Sequence, residues 1–205
     1  MKIKCEARPG RAGAYSLIEL LTTLAVAGVL LSTSVPAFSG WVLNERRTTV
    51  ANQLVGTFML ARREGATQDR TIVVCGLVDA NRNGNIDANE RSCAGTDWSD
   101  GWMVAAWNDV NGNGVIEARE LRVLNVFDSG SRGRLTVKAN NFSASPPVSP
   151  KGTVVMKRIG QHTSNGTLTI CDRRGPREAR AVILSWTGHA RVDSRKADGS
   201  PLVCS

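Results

Sequence analysis

Between Leu20 and Asn44 the chain carries no ionisable side chain. The stretch 15–41, YSLIELLTTLAVAGVLLSTSVPAFSGW, is apolar almost throughout. One carboxylate, Glu19, stands at its start, and Lys2, Lys4, Arg8 and Arg11 precede it. As a helix rising about 1.5 Å per residue, such a run crosses a bilayer core of about 30 Å. A carboxylate at the edge of such a run is costly in lipid and therefore reads as functional. A secretory signal has a shorter apolar core, with its small-residue cleavage site after that core. Here the small pair Gly13-Ala14 comes before the run. A plain signal anchor accounts for the length and the positive flank but gives Glu19 no role.

Beyond Trp41 the helical pattern turns amphipathic. Val50, Ala51, Leu54, Val55, Phe58 and Ala61 recur at i, i+3, i+4 spacing, with Arg46, Arg47, Arg62 and Arg63 set on other faces. Pro36 is expected to kink the helix, because proline removes an i→i−4 hydrogen bond. From Thr71 the character changes to short runs rich in β-branched and aromatic residues: 71–75, 102–107, 122–127, 135–137, 153–156, 167–170 and 181–186. Gly, Asn, Asp and Pro clusters separate them, so they read as strands. The segment 143–150 holds three prolines and reads as a loop. One long helix followed by many strands is an α+β chain, with the helix packed on an antiparallel β domain. The expected organisation is 1–14 as a leader, 15–66 as the helix with its membrane half over 15–40, and 71–205 as the β-rich domain.

The net charge of +8 is unevenly spread. Residues 75–128 carry nine acids against four bases, whereas 129–205 carry thirteen bases against four acids. This suggests a cation-binding half and a half that meets polyanions. Cys5 falls in the leader. The other four cysteines form an even set, suited to disulfides in an exported domain. Paired in chain order they give Cys75–Cys93 and Cys171–Cys204, but four cysteines allow three connectivities and the sequence leaves all of them open. Two histidines, His162 and His189, and no CxxC make a zinc site a poor reading. No Gly-rich phosphate loop, G-x-S-x-G motif or nucleophile–base pair supports an enzyme.

Two loops fit D-x-[DN]-x-[DN]-G-x5-E in full. The first has Asp79, Asn81, Asn83, Gly84, Asn85 and Glu90; the second has Asp109, Asn111, Asn113, Gly114, Val115 and Glu120. Oxygen ligands at positions 1, 3 and 5, a main-chain carbonyl at 7 and a glutamate at 12 suit calcium, with Gly at 6 for the turn. The flanks are strand-like, however, where an EF-hand has helices. Asp-Asn-Gly loops are also ordinary turns between strands.

The residues Ser16-Leu17-Ile18-Glu19-Leu20, behind a basic leader, resemble the cleavage and assembly motif of type IV pilin-like proteins. The segments Asn52-Gln53-Leu54 and Ala61–Ala66 resemble the GspH/FimT branch of pseudopilins and minor pilins. The resemblance implies cleavage by a prepilin peptidase between Ala14 and Tyr15, which stand where the family usually has Gly and Phe. It further implies N-methylation of Tyr15, and Glu19 as the fifth mature residue, facing the free amine of a neighbouring subunit. It implies a non-enzymatic subunit of a type II secretion or type IV pilus system, assembled with other pilins near the filament tip. The chain would sit in the inner membrane by a single pass, its C-terminal domain periplasmic or on the filament. The run Thr169–Val192 resembles the end of FimT-type minor pilins, where a Gly-Arg-x-Arg motif helps bind DNA. Gly188 and Arg191 match it, and His189 replaces the first Arg. The alternative implied is a DNA-binding subunit using Gly188, His189, Arg191, Arg195 and Lys196, with Arg173, Arg174, Arg177 and Arg180 nearby.

Overall fold

A computed structural model describes residues 15–83, 86–93, 95–130, 133–140, 142, 151–156 and 164–204, with the side chains of 33–37 left aside. Ala14, the leader, Asn85 and the 143–150 loop lie outside the described residues. The chain divides into two compact units, 1–42 and 43–205.

Helix α1 runs Leu17–Gln68. It passes through position 36 without a break, but the side chain of Pro36, and with it the expected kink, lies outside the described residues. In the first unit the helix exposes apolar side chains on every face. Leu17, Ile18, Leu20, Leu21, Leu24, Val26, Val29, Leu30 and Leu31 are all more than half exposed. Its hydroxyls turn inward instead of outward. Thr22, Thr23 and Ser32 donate to the carbonyls of Glu19, Leu20 and Val29 at 3.0, 2.9 and 2.7 Å. The span expected over 15–40 is not recovered as such. Among the described residues no helix is long and apolar enough to cross a membrane.

Among the described residues the second unit holds the rest of α1 and eight strands: β1 Thr71–Leu77, β2 Gly101–Trp107, β3 Leu121–Asp128, β4 Leu135–Ala139, β5 Val154–Met156, β6 Gly166–Asp172, β7 Arg180–Leu184 and β8 Ala190–Asp193. Asp69, at φ +52°, ends α1 in a left-handed residue, a common way to close a helix. Two antiparallel sheets form, in the orders β3-β2-β1-β5 and β4-β6-β7-β8. The expected α+β fold, with helix on antiparallel sheet, is what forms. Strand β8 was not foreseen, and β7 stops at Leu184, so Trp186 stands outside the strand expected over 181–186.

The main core lies between α1 and the inner faces of both sheets. Val50, Ala51, Leu54, Phe58 and Ala61 meet Ile72, Val74, Trp102 and Val104 from one sheet, and Val137, Leu168, Ile170 and Val182 from the other. Inside it Trp102 Nε1 donates to Thr57 Oγ1 at 2.9 Å, so the buried hydroxyl of the helix has a partner. Gly76 on β1 has no space for a side chain, since a Cβ there would lie 2.3 Å from the carbonyl oxygen of Asp97 and 2.4 Å from the Trp98 ring.

Each sheet also has its outer face covered. In the first sheet, Val73, Ala105 and Val155 pack with Ile116, and Cys75, Leu77 and Met103 pack with Ile86 and Cys93. In the second, Cys171, Ala181 and Ile183 pack with Leu202 and Cys204 near the C-terminus. A disulfide fastens each cover. Cys75 is bonded to Cys93 and Cys171 to Cys204, with Cα separations of 5.4 and 5.9 Å.

One expectation about α1 fails. Arg47, placed by residue type away from the apolar face, is only 4% exposed. It lies at i−3 and i−4 from Val50 and Ala51 and so shares their stripe. Its guanidinium is 3.9 Å from Asp172 and 3.6 Å from Glu178.

Candidate functional site

The turn joining β7 to β8 is where the sequence-derived anion site falls. Ser185 N donates to His189 O, and Gly188 N to Ser185 O, both at 2.9 Å. His189 N donates to Ser185 Oγ at 3.2 Å, and the Ser185 and Thr187 hydroxyls lie 2.7 Å apart. Gly188 has φ +78°, a left-handed conformation that glycine adopts at no steric cost. The stem of Arg62 runs alongside, at a distance where a Cβ would make ordinary contact, 3.4 Å from Arg62 Cδ. Arg62, from the far end of α1, then reaches His189, with Nη1 3.1 Å from Nε2. Guanidinium nitrogens only donate, so Nε2 is the acceptor in this contact.

The remaining candidates follow along the chain. Arg191, on β8, is exposed, with Nε 3.7 Å from Asp193 Oδ2. Such an exposed pair is weak and leaves the cation able to meet an anion. Arg195 Nη1 donates to Gly199 O at 3.2 Å, and Lys196 closes a tight turn with Ser200. The structure thus gathers Gly188, His189 and Arg62, with Arg191 next along β8. Sequence reasoning missed Arg62 because it read that residue only as lying off the apolar face. The signal present was its place four residues after buried Phe58, at the rim of the packed stripe.

The basic crowd read from the sequence does not form one surface. Ile170 pairs with Arg180 and Gly166 with Leu184, so the β6–β7 turn lies at the opposite end of β7 from Gly188. Arg173, Arg174, Arg177 and Arg180 belong to that end. Arg174 is already engaged. Its Nε and Nη2 donate to Asp172 at 3.1 and 2.6 Å, and Nη2 also reaches Asn44 Oδ1 at 2.9 Å. Those hydrogen bonds hold the Asp172 carboxyl below the usual carboxylate range and raise Arg174 in return. Burial lowers Arg47, whose Nε and Nη1 make no hydrogen bond among the described residues.

The two acidic loops fold alike. Asn83 N donates to Asp79 Oδ1 and Asn81 Oδ1; Asn113 N donates to Asp109 Oδ1 and Asn111 Oδ1. The glutamates that would close a cation shell are almost wholly buried and accept main-chain N–H groups. Glu90 takes those of Asn81 and Asp87. Glu120 takes that of Val110, and also the indole N–H of Trp107. The amide nitrogens of Asn81 and Asn83 point at Asp87, and those of Asn111 and Asn113 at Glu117. The loop oxygens of both segments are thus engaged by the loops' own N–H and amide groups. Among the described residues no group of three His, Cys, Asp or Glu side chains is placed to hold a metal. What both loops do place is an isoleucine, Ile86 or Ile116, against the outer face of the first sheet.

Tyr15 is exposed at the start of the helix, and Glu19 lies in its first turn. Ala14 lies outside the described residues.

The sequence pattern of a family described as type II transport protein GspH matches residues 50–188. Comparison with curated proteins returned no match. Among solved structures, the chain is similar to the type IV minor pilin FimU of Pseudomonas aeruginosa (strain PAO1) in two crystal forms. Identity is 19% in both. One covers 74% of this chain and 98% of that chain at a TM-score of 0.45. The other covers 76% and 95% at 0.47.

Proposed function

From the premise that the chain belongs to the GspH family of type II transport proteins, we propose that its N-terminal helix is an assembly rod exposed by proteolysis. The family makes it a structural subunit, a pseudopilin or minor pilin of a type II secretion or type IV pilus system, and not an enzyme. In the proposed route, prepilin peptidase cuts between Ala14 and Tyr15, and the new amine is methylated. The helix sits in the inner membrane by one pass until the subunit joins other pilins near the filament tip.

One observation supports this most. The helix over 17–31 presents Leu, Ile and Val on all sides, and its hydroxyls satisfy themselves on its own carbonyls. A surface of that kind is stable only against lipid or other apolar helices. Glu19 is then the one group that needs a partner, and a neighbour's N-terminal amine supplies the opposite charge. Mass spectrometry of the protein from cells should give an N-terminus at Tyr15 carrying one methyl group. Glu19→Ala should leave the folded domain intact and lower incorporation into sheared filaments at least tenfold. Protein still beginning at Met1, or unchanged incorporation, would overturn the reading.

A second reading, nucleic-acid binding at the β7–β8 turn, is favoured by Arg62. The fold adds this cation to His189, although 127 residues separate the two in sequence; Arg191, paired with Ile183, lies on the sheet face away from α1. Phosphate contacts give affinity that falls steeply with salt. Full-length protein in detergent should shift labelled DNA at low salt, and Arg191→Ala should weaken the shift and flatten its salt dependence. Binding indifferent to both would remove this reading.

A further inference from the structure

The β6–β7 turn carries positive charge that its own surroundings leave unmatched. From Asp172 to Arg180 it holds four arginines against two carboxylates. Both carboxylates are already engaged. Asp172 meets Arg174 at 2.6 Å and buried Arg47 at 3.9 Å, and Glu178 meets the same two arginines at 3.9 and 3.6 Å. Arg173 and Arg177 are exposed, and neither makes a hydrogen bond or ion pair among the described residues. The turn also has a fixed place along α1. Arg174 Nη2 and Arg47 Nη2 both donate to Asn44 Oδ1 at 2.9 Å, so the turn is held against the first residues that α1 gives to the second unit. The pair of Arg62 and His189 belongs to the other end, eighteen residues further along the helix or about 27 Å away. Asn44 is three residues past Trp41, where the apolar run ends, and three residues of chain reach at most about 11 Å. Trp41 is exposed and lies 5.5 Å from Phe38, ring centroid to ring centroid. Its residue type is enriched at the headgroup level of bilayers.

We propose that Arg173 and Arg177 bind the phosphates of anionic lipid headgroups and so tie the β6–β7 turn to the bilayer surface. A guanidinium presents two parallel N–H groups that match phosphate oxygens. Near an anionic bilayer each basic residue favours contact about fivefold, so two favour it about thirtyfold. The chain tether supplies the rest, because it keeps the turn beside the end of the apolar run whether or not the contact forms. The proposal rests on the reading that this run lies in the membrane, and adds a second, electrostatic hold to it.

The test uses the full chain in vesicles of phosphatidylcholine alone, or of phosphatidylcholine mixed with phosphatidylglycerol, with amide exchange followed by mass spectrometry. The anionic lipid should slow exchange over 173–179 about tenfold, within the limit that two such contacts set, and high salt should restore it. The turn over 185–189 should exchange alike in both vesicles. The double variant Arg173→Gln, Arg177→Gln should lose the slowing, and Arg173→Lys, Arg177→Lys should keep most of it. Because both side chains are exposed and unpaired, the melting temperature of each variant should match the parent and exclude misfolding. Equal exchange in both vesicles, with the protein floating alongside each, would overturn the proposal and leave the membrane reading standing. Slowing that survives the glutamine variant would overturn it too. Slowing by soluble glycerol phosphate in neutral vesicles would mark a site for free phosphate, and slowing in neutral vesicles that grows with protein density would mark a subunit contact; either overturns the proposal. Failure of the parent to float with either vesicle would overturn the membrane reading and the proposal with it.

Discussion

Arg47 sets residue type against residue position. Its place in the helical repeat says inside; its charge says outside. Position prevails because Asp172, with a side chain fully shielded from solvent, and Glu178 lie close to its guanidinium. The network is unequal, since Asp172 also holds Arg174 through three hydrogen bonds from side chain to side chain. Removing the shared anion leaves two guanidinium groups with only the half-exposed Glu178, 3.6 and 3.9 Å away, whereas removing Arg47 leaves Asp172 paired with Arg174. Asp172→Ala should therefore cost about 3 kcal/mol or more, and Arg47→Met much less, in urea unfolding at neutral pH. The lowered Asp172 carboxyl also fixes a pH dependence. Its stabilisation is complete above about pH 4, the ordinary aspartate value, and is lost as the pH falls through the lower folded-state value. Asp172→Asn should flatten that acid limb. The helical stripe was legible in the sequence. The partners of Arg47 were not, because they lie about 125 residues downstream and no local pattern joins them.

Among the elements, the paired loops carry the sharpest lesson. Their twelve-residue pattern is plain in the sequence, and its oxygen spacing reads as a cation loop. The folded loops spend those oxygens on their own N–H groups and use the isoleucine at the eighth position as a plug. The unbroken apolar runs of β1 and β2 already said that both sheet faces are covered, in contrast to the alternation of β4. Composition alone could not name the cover. Ile116→Ala should destabilise by about 2 kcal/mol, and Glu120→Ala by about 1–3 kcal/mol through the stranded N–H groups. Both losses should appear in thermal melts with chelator as well as with calcium. A Glu120 effect seen only with calcium would mark the loop as an ion site after all. Strand β8 escaped sequence reading because Ala190–Asp193 is short, lies at an edge and has a single β-branched residue among polar ones.

At the scale of the whole molecule, two covalent ties hold the covers of two sheets, over sequence separations of 18 and 33 residues. Each should contribute about 3 kcal/mol in the chain-entropy view. Serine replacement of Cys75 and Cys93 together should lower the melting temperature by several degrees.

The two ties also act on length. A chain pulled from both ends surrenders at most about 3.4 Å per residue. The bond from Cys75 to Cys93 withholds about 60 Å of that slack, and the bond from Cys171 to Cys204 about 110 Å. Force spectroscopy before and after a reductant should recover those two increments. Oxidised, the subunit can give under tension over its middle, while the stretches inside each tie stay short.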